Sequence, residues 1–216
     1  MSTLSKIVYN FKNLPGSHSD DFSPSDRQIE FIVNHFRSEL ASQRVNTKKS
    51  TDGFYQEIIN LKVEKTKDFR PFKDNVEILR SKSKLPSMVT SHNRGEVIDF
   101  IGMRDDFLGF QKTTVHTFNI DLENPMVTEL YFTSGDYLYI VSQGRSLIRE
   151  VYMKAVFSDP REVKIFNGEL TLINGMDWDY PLPDNLIGQL NNMIINNEFR
   201  WGQIVQPDLI NDGKDA

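Results

Sequence analysis

Several things are absent from this chain, and each absence excludes a class of structure. None of the 216 residues is a cysteine, which excludes disulfides, thiolate metal sites and a cysteine nucleophile. No apolar run approaches the ~20 residues that a membrane-spanning helix needs, and the N-terminus lacks the apolar segment of a signal peptide. We therefore expect a soluble protein with no membrane partner, made in the cytoplasm and not exported by a signal peptide.

Motifs for catalysis and cofactor binding are missing too. The chain has no H-E-x-x-H, no G-x-S-x-G, no Walker sequence and no G-x-G-x-x-G, and no two of its four histidines are four residues apart. Asp105 and Asp106 form a carboxylate doublet, which we interpret as part of a polar loop because neighbouring strand residues point to opposite faces. We predict no enzyme, no cofactor and no catalytic or metal-binding residue. A hydrolase with an unrecognised carboxylate site stays open as an alternative.

Aromatic residues and an uneven charge distribution are what the chain does have. It contains 15 Phe and 7 Tyr, which can supply both core and contact area. Residues 1–95 carry 16 basic and 11 acidic residues, a net of +5, whereas residues 96–216 carry 9 and 19, a net of −10. Such a molecule can pack head to tail, with one side of a subunit against the opposite side of the next.

Two helices frame the predicted fold. The first, at about 24–44, follows Ser23-Pro24, with Asp26 completing a capping box with Ser23. The second, at about 184–198, begins at Asp184. Their apolar stripes have helical spacing and consist of Ile29, Ile32, Val33, Phe36 and Leu40, and of Leu186, Ile187, Leu190, Met193 and Ile194.

The segment between the helices is rich in strand patterns. Strands are predicted at about 55–66, from residue 76, at 97–101 and through 129–156, while 113–121 fits a short helix or a strand. Ser134-Gly135-Asp136 is typical of a tight hairpin, and Asp159-Pro160 is typical of the start of a helix.

These elements predict an α+β fold, a strand-rich body flanked by an N-terminal and a C-terminal amphipathic helix, with extended arms at both ends. We expect residues 1–22 to be an extended N-terminal arm, because Leu14-Pro15-Gly16 interrupts any regular element there. Residues 23–198 would form one domain, and residues 199–216 an acidic tail.

Candidate contact residues are cations and tail aromatics. The stretch 62–84 is basic, and the candidates are Arg37, Arg44, Lys62, Lys65, Arg80, Lys82, Lys84, Phe199 and Trp201. Basic residues next to aromatic ones can bind nucleic acid, so a nucleic-acid- or carbohydrate-binding module is an alternative function. Four acidic residues lie within the same stretch, and we favour a solvated strand face or a contact between charge-complementary subunits.

Several short sequence segments follow one another in a distinctive order. These segments are Tyr55-Gln56, Ile78-Leu79-Arg80-Ser81-Lys82-Ser83-Lys84-Leu85-Pro86, Val97-Ile98-Asp99-Phe100-Ile101-Gly102, Lys112-Thr113-Thr114-Val115, Tyr131-Phe132, Asp136-Tyr137-Leu138-Tyr139-Ile140, Val156-Phe157-Ser158-Asp159-Pro160-Arg161-Glu162 and Tyr180-Pro181-Leu182-Pro183. Together with the leading helix from Ile29 to Leu40 and the closing helix that contains Leu186, Ile187 and Leu190, they cover about residues 25–198. The chain resembles the head–tail connector (ring or adaptor) proteins of crAss-like short-tailed bacteriophages.

The resemblance implies a structural protein located in the neck or tail of the virion. It implies a twelve-fold ring of identical copies below the portal protein, in contact with other tail or ring proteins. Double-stranded genomic DNA would pass through this ring without sequence-specific binding. The resemblance implies no catalytic residues.

Overall fold

The computed structural model describes residues 2–13, 24–48, 55–71, 73, 75–92, 95–104, 109–124, 127–144, 148–169 and 175–199. The helices are α1 (Leu4–Lys12), α2 (Asp26–Lys48), α3 (Phe118–Asp121), α4 (Pro160–Phe166) and α5 (Asp184–Ile194), and a π-helical turn (Ile195–Phe199) continues α5. The strands are β1 (Glu57–Lys65), β2 (Val76–Ser81), β3 (Thr90–Ser91), β4 (Gly95–Glu96), β5 (Ile98–Gly102), β6 (Gln111–Lys112), β7 (Glu129–Ser134), β8 (Tyr137–Gln143) and β9 (Glu150–Ala155). The fold is α+β, as predicted.

The chain divides into two compact units. The terminal unit consists of Met1–Leu40 together with Gly175–Ala216, and the sheet unit consists of Ala41–Asn174. Helix α2 therefore contributes its first part to the terminal unit and its last turns to the sheet unit.

A seven-stranded sheet is the framework of the sheet unit. Its strand order is β5-β9-β1-β2-β8-β7-β6, and β3 pairs with β4 separately. All the neighbouring strands of the large sheet run antiparallel except β6 and β7, which are parallel. The predicted hairpin joins β7 to β8, and its two-residue loop places Gly135 at φ 55°, a left-handed conformation that favours glycine.

Both faces of the β2-β8-β7 region carry apolar side chains. Leu79, Ile140 and Tyr131 are register partners in one hydrophobic cluster, which also contains Ile59 and Met153. Their sequence neighbours Ile78, Val141 and Leu130 are partners in a second cluster. Because successive strand residues point to opposite faces, the two clusters lie on the two faces of this region.

Helix α3 settles the segment that fitted either a helix or a strand. Residues 113–121 contain the end of an extended segment and then α3, whose Phe118 is buried in the second cluster. The Thr113 hydroxyl is hydrogen-bonded to the Asp121 carboxylate. Local threonine and aspartate hydrogen bonds thus compete here with strand pairing.

Helix α1 corrects the prediction of an extended arm over residues 1–22. Leu4, Ile7, Val8 and Phe11 fall at helical spacing and are all buried, and the Thr3 hydroxyl accepts a hydrogen bond from the Lys6 amide at 3.3 Å. The breaking sequence begins only at Leu14, after the helix has ended. Residues 14–23 lie outside the described part of the chain.

The start of α2 also differs in detail. The helix begins at Asp26, and the capping residues are Ser25 and Gln28. The Ser25 amide donates to the Gln28 side-chain oxygen at 2.8 Å, and the Gln28 amide donates to the Ser25 hydroxyl at 3.4 Å. This is a capping box shifted by two residues from the predicted pair, and Ser23 lies outside the described residues.

The core of the terminal unit is formed by helical stripes and an extended segment. The amides of Leu4 and Ser5 donate to the carbonyls of Trp178 and Met176, at 3.2 and 3.0 Å. The Tyr180 hydroxyl donates to the Asn34 side chain at 2.7 Å. The other buried apolar residues of this unit include Ile29, Val33, Phe36, Leu40, Leu182, Leu186, Leu190 and Ile194.

Candidate assembly interface

A row of four side chains crosses the sheet unit from β1 to β7. Glu64 is the register partner of Arg80, Arg80 of Tyr139, and Tyr139 of Phe132. Directly opposed residues of antiparallel strands project from the same face. The row therefore places an acid, a guanidinium, a phenol and a phenyl ring side by side, with the polar end towards β1.

Asp68, in the loop after β1, holds this row at its centre. Its carboxylate accepts hydrogen bonds from Arg80 Nη1 at 2.9 Å and from the Tyr139 hydroxyl at 3.0 Å. Arg80 also lies 3.6 Å from the Glu64 carboxylate and 5.1 Å from the centre of the Tyr137 ring. One short loop is thereby fastened to β2 and β8 at the same point.

The electrostatics of this cluster follow from those contacts. Hydrogen bonds with Thr66 and Tyr139, together with the charge of Arg80, lower the pKa of Asp68. Burial and the same hydrogen bond to Asp68 raise the pKa of Tyr139. Asp68 is therefore a carboxylate and Tyr139 a neutral donor at neutral pH. The lowered pKa makes Asp68 a weak base, and its carboxylate already accepts hydrogen bonds from Arg80 and Tyr139.

Phe69, the next residue of the loop after β1, adds aromatic contacts to β7 and β8. Its ring meets Phe132 edge-on at 5.3 Å and Tyr139 edge-on at 5.0 Å. Phe132 in turn stacks on Tyr139 at 5.1 Å and on Phe118 at 5.8 Å. Such pairs contribute roughly 0.5–1.5 kcal/mol each beyond the burial of their area, so the loop is held by apolar as well as polar contacts.

A cavity of about 470 Å³ lies beside this cluster. We call it the loop pocket, and its lining consists of Lys65, Thr66, Lys67, Phe69, Arg70, Pro71, Val76, Glu77 and Ile78. Its apolar walls come from the loop and β2, and its cations come from β1 and the loop. It combines an apolar interior with a basic rim.

Most of the candidate cations of the basic stretch 62–84 have an acidic partner within the sheet unit. Lys65 is paired with Glu77 at 2.6 Å, Lys84 with Asp136 at 2.9 Å, and Arg80 with Asp68. Exposed pairs of this kind contribute little to stability, but they reduce the positive potential of the surface. Lys62 and Lys82 are exposed on adjoining segments, where the Lys82 amide donates to the Lys62 carbonyl at 2.8 Å.

Arg37 has a different environment from the one expected of a contact residue. Its side chain is fully buried in the terminal unit, Nε donates to the Pro181 carbonyl at 3.1 Å, and its guanidinium carbon lies 5.8 Å from the centre of the Tyr180 ring. Helical spacing from Val33 and Leu40 places it on the inner side of α2. Arg37 therefore has partners inside the terminal unit, and its predicted role in contacts between subunits stays a prediction.

The remaining predicted contact residues are Arg44, Phe199 and Trp201. Arg44 is half-buried in the last turns of α2. Phe199 is the last residue of the π-helical turn, and Trp201 lies outside the described residues, as does the rest of the tail. Their proposed contacts therefore stay predictions.

Asp68, Phe69 and Tyr139 organise this surface, and none of the three is among the residues predicted for contacts. Asp68 is one of the four acidic residues within the basic stretch, and it lies 71 residues from the tyrosine that it binds. The available signal is the run from Tyr137 to Val141, in which aromatic or apolar residues occupy both sets of alternating positions, because a strand that is apolar on both sides is covered on both faces.

Large apolar side chains are exposed in both units. Tyr9 and Phe31 are 67% and 73% exposed in the terminal unit, and Ile58 and Ile120 are 55% and 65% exposed in the sheet unit. Single exposed apolar residues are common on protein surfaces. In a protein that assembles they are the first candidates for contact area.

We also searched the described part of the chain for metal-binding clusters and for membrane-spanning helices. Within it, no three His, Asp or Glu side chains are grouped so that they could hold a metal ion. Asp105 and Asp106 fall in one of its gaps. None of its helices is long and apolar enough to cross a membrane.

Comparison with known proteins places the chain in a family. No curated protein matches it. A family model described as phage tail ring protein 2 matches residues 5–215, which is nearly the whole sequence and extends beyond the range of the resemblance on both sides. The chain therefore belongs to the crAss phage tail ring protein 2 family, a family of structural virion proteins.

Proposed function

We propose that this protein forms a closed ring of twelve identical copies in the head–tail connector, directly below the portal, and that genomic DNA passes through it. The observation that carries the proposal is the family match over residues 5–215. The ring would act by fitting against copies of itself, the portal and other tail proteins, and it would catalyse no reaction.

Ring closure requires two different surfaces on each subunit that fit one another. The exposed apolar residues supply candidates in each unit, Tyr9 and Phe31 in one and Ile58 and Ile120 in the other. The net charges of +5 for residues 1–95 and −10 for residues 96–216 add electrostatic complementarity, which favours correct pairing over wrong partners. Arg44, Lys62, Lys65, Arg80, Lys82, Lys84, Phe199 and Trp201 are the residues that we propose for contacts with neighbouring subunits.

A DNA conduit should not hold the DNA that moves through it. The formal net charge is −5, and Lys65, Arg80 and Lys84 are each paired with a carboxylate. Phosphate binding depends on cations that release counterions when DNA binds. The pairing therefore supports passage of DNA and argues against a dedicated nucleic-acid-binding module.

The ring can be tested by mass photometry and negative-stain imaging of the purified chain, alone and with the portal protein. A twelve-fold ring of 25.0 kDa subunits has a mass of 300 kDa. A ring that forms on the portal but not alone agrees with the proposal. A chain that stays monomeric in both conditions, or an isolated subunit that turns over a substrate in a defined pocket, would overturn it.

The DNA-binding alternative is tested by retention on immobilised duplex DNA as salt is raised. We expect weak retention with a shallow salt dependence. A steep loss of binding with salt, of the kind produced by six or more phosphate contacts (~10³-fold or more between 50 and 200 mM salt), would favour the binding module.

The tail is tested by deleting residues 199–216. We expect the circular dichroism spectrum and the melting temperature of the truncated chain to stay close to those of the full chain, while capture by immobilised portal protein weakens. Capture that is undiminished would contradict a docking role for the tail. A scrambled tail of the same composition controls for chain length and charge.

A further inference from the structure

The loop pocket has the size and lining of a peptide-binding site. Its volume of about 470 Å³ lies within the range of roughly 300–1,000 Å³ that is usual for ligand pockets. Phe69, Val76 and Ile78 supply apolar walls, and Lys67 and Arg70 supply positive charge at the exposed rim. A nucleic acid backbone would use the cations but not the apolar walls, so an apolar and acidic peptide fits this lining better.

The C-terminal segment of the chain has the complementary composition. Residues 204–216 read IVQPDLINDGKDA, in which two apolar pairs, Ile204-Val205 and Leu209-Ile210, alternate with acidic positions. The segment contains three aspartates and one lysine. Its apolar pairs can pack against the apolar walls of the loop pocket, and its aspartates carry the charge opposite to that of Lys67 and Arg70 at the rim.

Chain length allows this segment to reach another subunit. The described part of the chain ends at Phe199, and residues 200–216, 17 residues in all, follow it in the sequence. At about 3.3 Å per residue, an extended segment of this length spans up to roughly 55 Å. This is more than the diameter of a small domain, which is about 30 Å.

We propose that the loop pocket of one subunit binds the C-terminal segment of a second copy, with Leu209 and Ile210 against Phe69 and Ile78, and with Asp208 and Asp212 facing Lys67 and Arg70. This inference rests on the proposed ring function and deepens it, because it names the partner of the pocket. The surfaces joined are different on the two copies. Such a contact repeats from subunit to subunit and can close a ring.

Binding of the C-terminal segment in the loop pocket would also explain why the loop after β1 has so many contacts with β2, β7 and β8. Asp68 ties the loop to Arg80 and Tyr139, and Phe69 packs against two rings. A pocket wall that is already ordered loses little conformational entropy when a peptide binds. The polar cluster thus acts as support for the loop pocket rather than as a site of its own.

The test is photo-crosslinking between isotopically distinct full-length chains. Unlabelled chain with Ile210→p-benzoyl-phenylalanine is mixed with ¹⁵N-labelled wild-type chain, illuminated and digested, and adducts are mapped by mass spectrometry. We expect adducts between the two isotopes within residues 65–78. Introducing Arg70→Glu into the labelled chain should lower their yield about fivefold or more, and Lys67→Glu should act in the same direction.

A matched variant separates this contact from a general charge effect. Arg149 is also exposed in the sheet unit but does not line the loop pocket, so Arg149→Glu should leave the yield unchanged. A synthetic peptide of residues 200–216 should compete with the crosslink. The same peptide carrying Asp208→Asn and Asp212→Asn should compete less well.

The outcomes distinguish the pocket from the ring. Three outcomes would overturn the pocket assignment and leave the ring intact. The first is rings seen by mass photometry without adducts in residues 65–78, and the second is adducts confined to chains of one isotope. The third is an equal loss of crosslink yield with Arg70→Glu and with Arg149→Glu. Adducts in the pocket from a chain that never forms rings support the contact and count against the ring. The absence of both rings and pocket adducts, with the chain alone and with the portal protein added, would overturn both.

Discussion

Replacement of Phe132 is the sharpest test of how the surface around the loop pocket is held. Phe132 is 1% exposed and stacks on Tyr139 with an interplanar angle of 7°. It also contacts Phe118 and Phe69, at 5.8 and 5.3 Å between ring centres. One side chain thus joins β7, β8, α3 and the loop after β1.

Two substitutions separate cavity formation from the loss of aromatic geometry. Phe132→Ala removes a buried ring, and we expect the free energy of unfolding to fall by about 3–5 kcal/mol. Phe132→Leu keeps most of the apolar volume but loses three ring pairs, and since such pairs are not additive we expect about 1–3 kcal/mol. The larger loss for alanine means that burial outweighs ring geometry.

Urea unfolding followed by far-ultraviolet circular dichroism measures both losses on the strand signal. The matched control is Phe31→Ala, because Phe31 is 73% exposed and its removal should change the free energy by no more than about 0.5 kcal/mol. The reasoning is refuted if Phe132→Ala costs no more than Phe31→Ala. A Phe132→Leu chain as stable as wild type would show that the ring contacts contribute nothing beyond volume.

Three further changes test other parts of the structure. Gly135→Ala should lower the free energy of unfolding by about 1–2 kcal/mol, because Gly135 has φ 55°. Gly188→Ala should raise it by about 0.5–1 kcal/mol, because Gly188 is helical and a Cβ there meets no neighbouring atom. Equal effects of the two variants in thermal unfolding would contradict this. Asp68→Asn should be less stable than wild type at pH 7. Since the pKa of Asp68 is lowered in the folded chain, that stability is fully present above the unfolded pKa of about 3.9 and is lost as pH falls through the lower, folded value. The stability difference should therefore stay constant from pH 7 to about pH 5 and shrink only below about pH 4; a difference that does not change between pH 4 and pH 2 would count against it. Arg37→Met should destabilise the terminal unit by about 1–3 kcal/mol by removing the donor to the Pro181 carbonyl. Tryptophan fluorescence in a Trp201→Phe background measures this, and an unchanged midpoint would argue against a buried structural arginine.

Short-range patterns were predicted well because the forces that produce them are local. The stripe from Ile29 to Leu40, the turn at Gly135 and the start at Asp159-Pro160 each depend on residues within a few positions of one another. Periodicity and turn chemistry carry that information. The family resemblance also came from an ordered series of such phrases, and the match over residues 5–215 confirms it.

Helix α1 shows where local reasoning stopped. Its spacing was visible, but an isolated helix of nine residues is only marginally stable in water. Packing of its buried face, and hydrogen bonds from Leu4 and Ser5 to residues 178 and 176, stabilise it in the folded chain. The helix-breaking residues Leu14-Pro15-Gly16 follow α1 in the sequence, and the tertiary contacts that stabilise it involve residues more than 160 positions away.

The amino-acid order is enough to predict the α+β class, two amphipathic helices and a strand-rich body. It is not enough to predict which charges face solvent and which have partners inside the subunit. Arg37 is buried against Pro181, and Asp68 joins Arg80 and Tyr139 across 12 and 71 positions of sequence. These contacts depend on strand register, which brings distant residues onto one face and is set by the packing of whole strands and not by any one segment.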